Sequence, residues 1–508
     1  MKIVTADIGT TKIKSMLIDV DEKDGLPRIA DSVDINQQVV SSTPESHEHS
    51  PKFIVEALKS AIKHFTRNYG KPDLLVFSSY LFALALADDK EEYVSNIMTW
   101  LDERSKRVLD KIRPHASELY KRTGAPPLYI YSLPKILYLR EYKPELLFRA
   151  RYFLDSKSII TLHFLGYHVT DYSTASGTYQ MLNVSTRKWD DLALELAGID
   201  EKNLPELEEG DYVDVVRRSV ARELEIDEKT PLVLSFYDGG AMIYVLTSSV
   251  SGIGVINMGT SAMIRVVYDK PVLDDENAMR FSTYYFYRGT WIPGGSISNA
   301  GIVLEHVIRL LNMNSNYAFD QVLYKVTRED ILKRTPRPIV IPLLYPERIP
   351  LLGKDLGMSI VGIKPLNTNP GDILLSTLEG IAFLLNYSAN PLRERGIDFT
   401  EVRVGGGITS IPAVQLILAS IFNKPVSRIT TPHVSLIGNA SIALKAVDES
   451  LSNKLRYQVE AEIESRKVHP DPEIVEFYKE IMNTYNRYLD VLYKLEDTST
   501  ARSMHVVG

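Results

Sequence analysis

The chain of 508 residues contains no cysteine. That absence excludes disulfide bracing, thiolate nucleophiles and zinc–thiolate sites. No apolar run is long enough to span a bilayer. The first residues lead straight into a β-branched segment, with neither a basic n-region nor an apolar h-region. No signal peptide is therefore expected, and the cytoplasm is the expected compartment. Positive charge is not in excess: 58 Lys and Arg against 65 Asp and Glu leave a net charge of −7, which argues against a surface built for nucleic acid. Walker-type phosphate loops, zinc-type ligand clusters and a Ser-His-Asp order are missing too. The remainder is ordinary soluble composition, 44% hydrophobic and 24% charged, in a chain long enough for two or more domains with full cores.

What is present is written most plainly at the start, where Ile3 to Asp19 reads IVTADIGTTKIKSMLID. Two β-branched runs, Ile3 to Ala6 and Lys14 to Ile18, flank Asp7, Gly9, Thr10, Thr11 and Lys12. Strand, tight turn and strand are predicted, with an acid, two hydroxyls and an ammonium at the tip. Glycine lets backbone approach a ligand, and exposed turn N–H groups suit an anion. An ordinary hairpin with a polar tip fits this stretch equally well.

The balance shifts because the chain writes the stretch twice. Ile256 to Asp269, INMGTSAMIRVVYD, aligns with Ala6 to Asp19 at a constant offset, setting Gly259 and Thr260 on Gly9 and Thr10, and Ile264 on Lys14. Two such hairpins suggest a duplicated domain with a nucleotide clamped between the copies. Asp7 is replaced by Asn257 in the second copy, so only the first keeps an acid able to hold a hydrated metal ion.

Strands alternate with helices along the chain, the pattern of an α/β protein. A helix is predicted from Pro51 to Gly70 and a buried strand from Asp73 to Ser79. Trp291 to Asn299 reads as a glycine and hydroxyl loop, Ile373 to Leu392 as a long apolar helix, and Thr431 to Val447 as a loop and helix. The expected units are residues 1–249, residues 250–449 and a helical extension, residues 450–508. Along that extension Val475, Tyr478, Met482, Tyr485 and Leu489 share one side, as packing or as a homodimer contact.

Chemistry concentrates at two further places. Asp238 sits at a predicted strand end, in Tyr237-Asp238-Gly239-Gly240. Ligands of open α/β sheets lie beyond such strand ends. A carboxylate there can accept a hydroxyl proton while the hydroxyl attacks a phosphoryl group, although Asp-Gly is also a common turn dipeptide. Gly405-Gly406-Gly407 follows a predicted strand in the second half and would let backbone approach a flat ring or a phosphate.

Seven motifs in order resemble the FGGY carbohydrate kinases of the actin-like ATPase superfamily, from the N-terminus to about Val447. They are DIGTTKIK at Asp7, TWLDERS at Thr99, DYSTASGT at Asp171, YDGG at Tyr237, NMGTS at Asn257, GGSISNAG at Gly294 and VGGGITSIP at Val404. The resemblance implies two ribonuclease-H-like domains with ATP and Mg²⁺ in the cleft between them. It implies Asp238 as catalytic base and Asp7 as the acid holding Mg²⁺ through water. Thr10, Thr11 and Lys12 would lie near the transferred phosphate, with Gly259 and Thr260 as the second phosphate turn. Gly301, Glu305, Gly406 and Gly407 would form the nucleotide side, and Trp100 and Asp102 would line the sugar pocket.

Within that family the chain is most similar to gluconokinases and xylulokinases, through TGAPPLYIYSLPK at Thr123, FLDSKSII at Phe153 and PERIP at Pro346. It departs from them where their Met-His contacts the sugar: Leu81 and Phe82 stand there instead, with Tyr80, Tyr129 and Tyr131 as candidate replacements. The implied substrate is a small sugar, aldonate or polyol. A glycerol-type polyol kinase and a non-catalytic nucleotide sensor or scaffold are the alternatives, and retention of both Asp7 and Asp238 speaks against the sensor.

Overall fold

Two six-stranded mixed sheets organise the chain. The computed structural model describes residues 1–21, 23, 27–333, 337–351, 354–365, 369–429 and 433–503, with side chains described up to residue 495. In the first sheet β1 (Lys2–Ile8), β2 (Lys12–Val20) and β3 (Pro27–Asn36) run antiparallel in succession. On the other side of β1 lie β4 (Leu74–Ser79), β6 (Pro231–Val233) and the edge strand β5 (Val213–Val215), in the order β5-β6-β4-β1-β2-β3. β4 pairs parallel with both β1 and β6. It is buried along its whole length, as parallel strands covered on both faces are.

Helix α1 (Pro51–Tyr69) starts where Ser50 caps the Phe53 N–H, and it ends at Gly70. Its Ile54, Leu58, Ile62 and Phe65 recur at helical spacing and are buried in one core with Val4, Leu17 and Leu75 of the sheet. Helix α2 (Ser156–Leu165), capped by Asp155, shares that core. Helix α3 (Asp238–Thr247) opens five residues after β6.

The second sheet repeats the plan. β7 (Ile253–Met258), β8 (Ala262–Val266), β9 (Ser282–Tyr285), β10 (Trp291–Ile297), β11 (Glu401–Gly405) and β12 (Val426–Arg428) lie in the order β9-β10-β8-β7-β11-β12. Again a hairpin and a third antiparallel strand stand on one side, and two parallel strands on the other. These are the two ribonuclease-H-like domains expected from the sequence, each a mixed sheet with helices. Two details differ from expectation. Ile8 pairs with Ile13, but Met258 pairs with Ala262, so the second turn is one residue shorter. Met263, not Ile264, therefore stands across from Asn257 as Lys14 stands across from Asp7. The stretch read as a loop from Trp291 is strand β10, because β8 and β9 pair with it on its two sides.

Helices α4 (Gly301–Leu310), α5 (Pro370–Glu394), α6 (Pro412–Phe422), α7 (Val434–Val447), α8 (Glu449–Ser465) and α9 (Pro472–Ser503) complete the second half. The loop expected from Thr431 lies in part outside the described residues. α7 is the bridge between halves. A Cβ on its Gly438 would lie 2.0 Å from the Ala241 carbonyl of α3, so the two backbones cross in direct contact. Next to it the Asn439 amide donates to Ala6 O at 3.1 Å and Ser78 Oγ at 3.0 Å, and accepts from Ser235 Oγ at 2.7 Å. One side chain thus ties β1, β4 and the segment leading to Asp238. Leu451, Leu455, Val459 and Ile463 of α8 share the core at this junction with Ile3, Met16 and Ile243.

The apolar side of α9 is a brace within the chain. Ile474, Tyr478, Tyr485 and Leu489 are buried in the second domain's core, and the Tyr478 and Tyr485 rings meet Phe383 of α5. Tyr478 Oη donates to Glu379 at 2.9 Å. Among the described residues no helix is long and apolar enough to cross a membrane.

Candidate active site

A cavity of about 620 Å³ opens between the two halves. Both hairpins reach it, through Asp7 and Lys14 from the first and Asn257, Ser261 and Met263 from the second. Strand periodicity explains the pairing of Asp7 with Lys14: they are cross-strand partners on one face of β1 and β2. The Asp7 carboxylate accepts from Ser78 Oγ at 3.1 Å and Ser435 Oγ at 2.9 Å. Burial pushes its pKa up, against the pull of those two hydroxyls and of Lys14.

Asp238 lies on the same wall, at the first turn of α3. Burial, then the charge of Asp7, push its pKa up to about 7, while the Gly239 N–H at 2.7 Å pulls the other way. The side chain is partly exposed, and it is the cavity that exposes it. A carboxylate so poised exchanges a proton near neutral pH, as a general base should. The segment that carries it is pinned by the ammonium of Lys157, which donates to Phe236 O at 2.9 Å, Leu234 O at 2.6 Å and Phe77 O at 3.1 Å.

The far side of the cavity is made of backbone. Gly406 has φ +94°, and a Cβ there would lie 2.4 Å from the Met258 carbonyl, so glycine is required on both counts. A Cβ on Gly407 would meet nothing within 4 Å; its backbone borders open space. The N-terminus of the 14-residue α7 also faces the cavity, through His433, Val434 and Ser435. Its unpaired N–H groups and dipole favour an anion. Arg428 Nε donates to Thr409 Oγ1 at 3.2 Å beside them.

Of the residues singled out from sequence, Asp7, Leu81, Phe82, Asp238, Gly406 and Gly407 come together on the cavity wall. Others stand behind it. Tyr131 is buried, its hydroxyl 2.8 Å from that of the wall residue Tyr284 and its ring edge-on to Phe82. Trp100 lies under the guanidinium of the wall residue Arg348, 5.8 Å from ring centre to cation. Thr10 and Thr11 remain at the first hairpin tip, where the Gln37 amide nitrogens donate to Gly9 O and Thr11 O. Gly301 N and Ile302 N donate to Gly259 O and Thr260 O, so α4 packs directly on the second turn. Glu305, on the outer side of α4, is exposed.

Two residues have partners elsewhere. Lys12 lies 3.7 Å from Asp34, both half-exposed, and Lys14, two residues on, takes the place at the cavity. Asp102 is fully buried and accepts from Arg104 Nε at 2.9 Å and from His47 N at 3.1 Å, so its oxygens face a structural ion pair. Lys14, Arg348, Arg428, His433 and Ser435 are wall residues that sequence reasoning missed. The parity of β2 would have offered Lys14 together with Lys12; Arg348 lies within the PERIP stretch, Arg428 ends β12, and His433 and Ser435 stand at the start of α7.

The donor set suits a hydrated magnesium ion. Among the described residues no group of three or more His, Cys, Asp or Glu side chains is placed to hold a metal ion. Mg²⁺ keeps several waters and needs one or two carboxylates. Asp7 offers one, and the repulsion it exerts on Asp238 is of the kind a cation between two acids relieves.

Comparison with known proteins identifies the family. The N-terminal domain of the FGGY family of carbohydrate kinases matches residues 2–243, and its C-terminal domain matches residues 254–447. The gluconokinase of Bacillus licheniformis is 27% identical over 458 residues, covering 87% of this chain and 86% of that protein. The xylulose kinase of Staphylococcus xylosus is 24% identical over 503 residues, covering 96% and 99%. The crystal structure of gluconate kinase from Lactobacillus acidophilus superposes with a TM-score of 0.85 at 24% identity, over 97% of this chain and 98% of that one. With both halves matched in order, the chain belongs to the FGGY family of carbohydrate kinases and is an ATP-dependent sugar kinase.

Proposed function

We propose that the chain transfers the terminal phosphoryl group of ATP to a hydroxyl of a small sugar or sugar acid, of the gluconate or xylulose kind, with Asp238 as general base. The observation that carries this reading is Asp238 itself, poised near neutrality on the cavity wall in the field of Asp7. As the acceptor hydroxyl attacks in line, Asp238 takes its proton. Leu81 and Phe82 exclude water from the acceptor, in the place where related kinases offer an imidazole. Lys14, the α7 N-terminus and the backbone at Gly406 and Gly407 face the phosphates and stabilise the charge that develops on their oxygens. Asp7, oriented by Ser78 and Ser435, is the residue that would hold a hydrated Mg²⁺. When bound, that ion neutralises charge on the phosphate oxygens. Thr10, Thr11, Gly259 and Thr260, at the two hairpin tips, join the phosphates when the halves close.

The test is Asp238→Asn in a coupled assay of sugar-dependent ADP release, run against a panel of aldonates, ketopentoses, polyols and glycerol. Turnover falls by a factor of about 100 or more while ATP binding is retained. Unchanged turnover would remove Asp238 from the role of base.

A further inference from the structure

We propose that Lys135 is a positioning residue of the acceptor site: from the protein interior its ammonium holds Phe82 in a left-handed conformation, and that conformation sets the Phe82 ring on the cavity wall. This deepens the kinase reading and rests on it.

Phe82 has φ +64°, a region that a bulky side chain occupies only when its surroundings force it. Of the described non-glycine residues with positive φ, only Phe82 and His433 line the cavity, and no other is a phenylalanine, tyrosine or tryptophan. What forces Phe82 stands on both sides of it. Its N–H donates to Thr178 Oγ1 at 3.2 Å, and its carbonyl accepts from Lys135 Nζ. Ser132 Oγ, 3.3 Å from the carbonyls of Ala83 and Thr178, ties the next residue to the same place. The ring is left half-buried, edge-on to Tyr131 and bordering the cavity.

Lys135 stands on the helix Ser132–Tyr142 and is fully buried. Besides Phe82 O, its ammonium reaches Thr99 O at 2.8 Å and Met98 O at 3.2 Å, so its donors go to main-chain carbonyls. Met98 and Thr99 lead directly to Trp100, which lies under Arg348. No carboxylate among the described residues lies within ion-pair distance of Lys135, and the neighbouring Asp102 is taken by Arg104. The other buried lysines have acids: Lys59 is 2.7 Å from Glu56 and 2.6 Å from Glu223, and Lys157 is 3.5 Å from Asp171. A buried ammonium without a counter-charge is costly, and methionine would fill the same space. The charge is explained by what it fixes, since charge-assisted hydrogen bonds are short and directional. Thr178 closes the DYSTASGT stretch and Lys135 the SLPK stretch; the two meet at Phe82.

Crystallography and kinetics of the full chain test this together. In crystals of Lys135→Met, Phe82 leaves the left-handed region and its ring leaves the wall. The kinetics use the acceptor that the wild type phosphorylates fastest in the panel above. In Lys135→Met its KM rises about tenfold, kcat falls less, and calorimetric ATP affinity is unchanged, which also shows that the variant is folded. Phe82→Gly, at ease at positive φ, raises the same KM, and adding Lys135→Met to it raises KM by no more than about twofold further. Thr178→Val removes only the N–H partner and raises KM about threefold; it decides the matter if Lys135→Met does not fold. Phe82 unmoved in Lys135→Met, an unchanged acceptor KM in Lys135→Met or Thr178→Val, or additive effects of Lys135→Met and Phe82→Gly would each overturn the assignment. No ADP release by the wild type with any acceptor of the panel would sink the kinase reading instead, and the place of Phe82 in crystals of Lys135→Met would still decide the grip.

Discussion

At the scale of single residues, the protonation of Asp238 links activity to stability. Its folded pKa, about 7, is raised above the ordinary carboxylate value near 3.9. A base must be unprotonated, so kcat/KM rises with pH through about 7 and is flat above it, which a pH–rate profile measures. The stability linkage runs the other way. A raised carboxylate contributes fully below the unfolded pKa, and that contribution is lost as pH rises through the folded one. Asp238→Asn is therefore more stable than the wild type at pH 8, by on the order of 1–3 kcal/mol, and the gap, read by thermal unfolding, narrows at pH 5 and closes toward pH 4. An equal gap at pH 8 and pH 4 would contradict the burial argument. Lys157 is a positioning residue for the same carboxylate. Lys157→Met strips three buried carbonyls of their donor and is expected to destabilise by about 2–5 kcal/mol, measured by urea unfolding. Turnover should fall more than ATP affinity, because the segment that moves is the one bearing Asp238.

At the scale of elements, glycines set the distance between backbone pieces. Gly406→Ala places a methyl against the Met258 carbonyl and forces a left-handed residue; ATP affinity should fall at least about tenfold, and isothermal titration checks it. Legibility differed from one element to the next for physical reasons. The first hairpin and its echo were readable because β-branched runs flanking Gly-Thr are a local signal that needs no partner. Asp238 was readable because Tyr-Asp-Gly-Gly after an apolar run is a local signal as well, although the strand stops at Val233 and Asp238 opens α3 instead of ending the strand. Strand β10 was not, since its two glycines and serine oppose strand propensity and only pairing with β8 and β9 overrides them. The one-residue difference between the two turns was hidden because identical residues stand at both starts and only the ladder fixes the register. Lys14, Ser435 and Arg348 were missed because each meets the cavity through tertiary placement. Asp102 matched a motif, yet the burial of Arg104 beside it, which sequence does not display, gives its oxygens to an ion pair.

At the scale of the molecule, the two halves meet in the α3–α7 crossing and face each other across the cavity. On the proposed reading acceptor residues come mainly from the first half and nucleotide residues from both, so binding both substrates should close the cleft and exclude water. Small-angle scattering should show a smaller radius of gyration with a non-hydrolysable ATP analogue plus acceptor than with either alone; no compaction would contradict this. α9 stiffens the second half from outside, so Tyr478→Ala should cost about 3–5 kcal/mol and leave KM for the acceptor unaltered. The central claim is that one carboxylate, Asp238, in a cavity shared by two duplicated domains, drives phosphoryl transfer to a sugar hydroxyl. The most direct measurement is acceptor-dependent ADP release by wild type and Asp238→Asn, with ATP binding measured on the same samples. The account predicts that turnover collapses while ATP binding persists; equal turnover in the two proteins would contradict it.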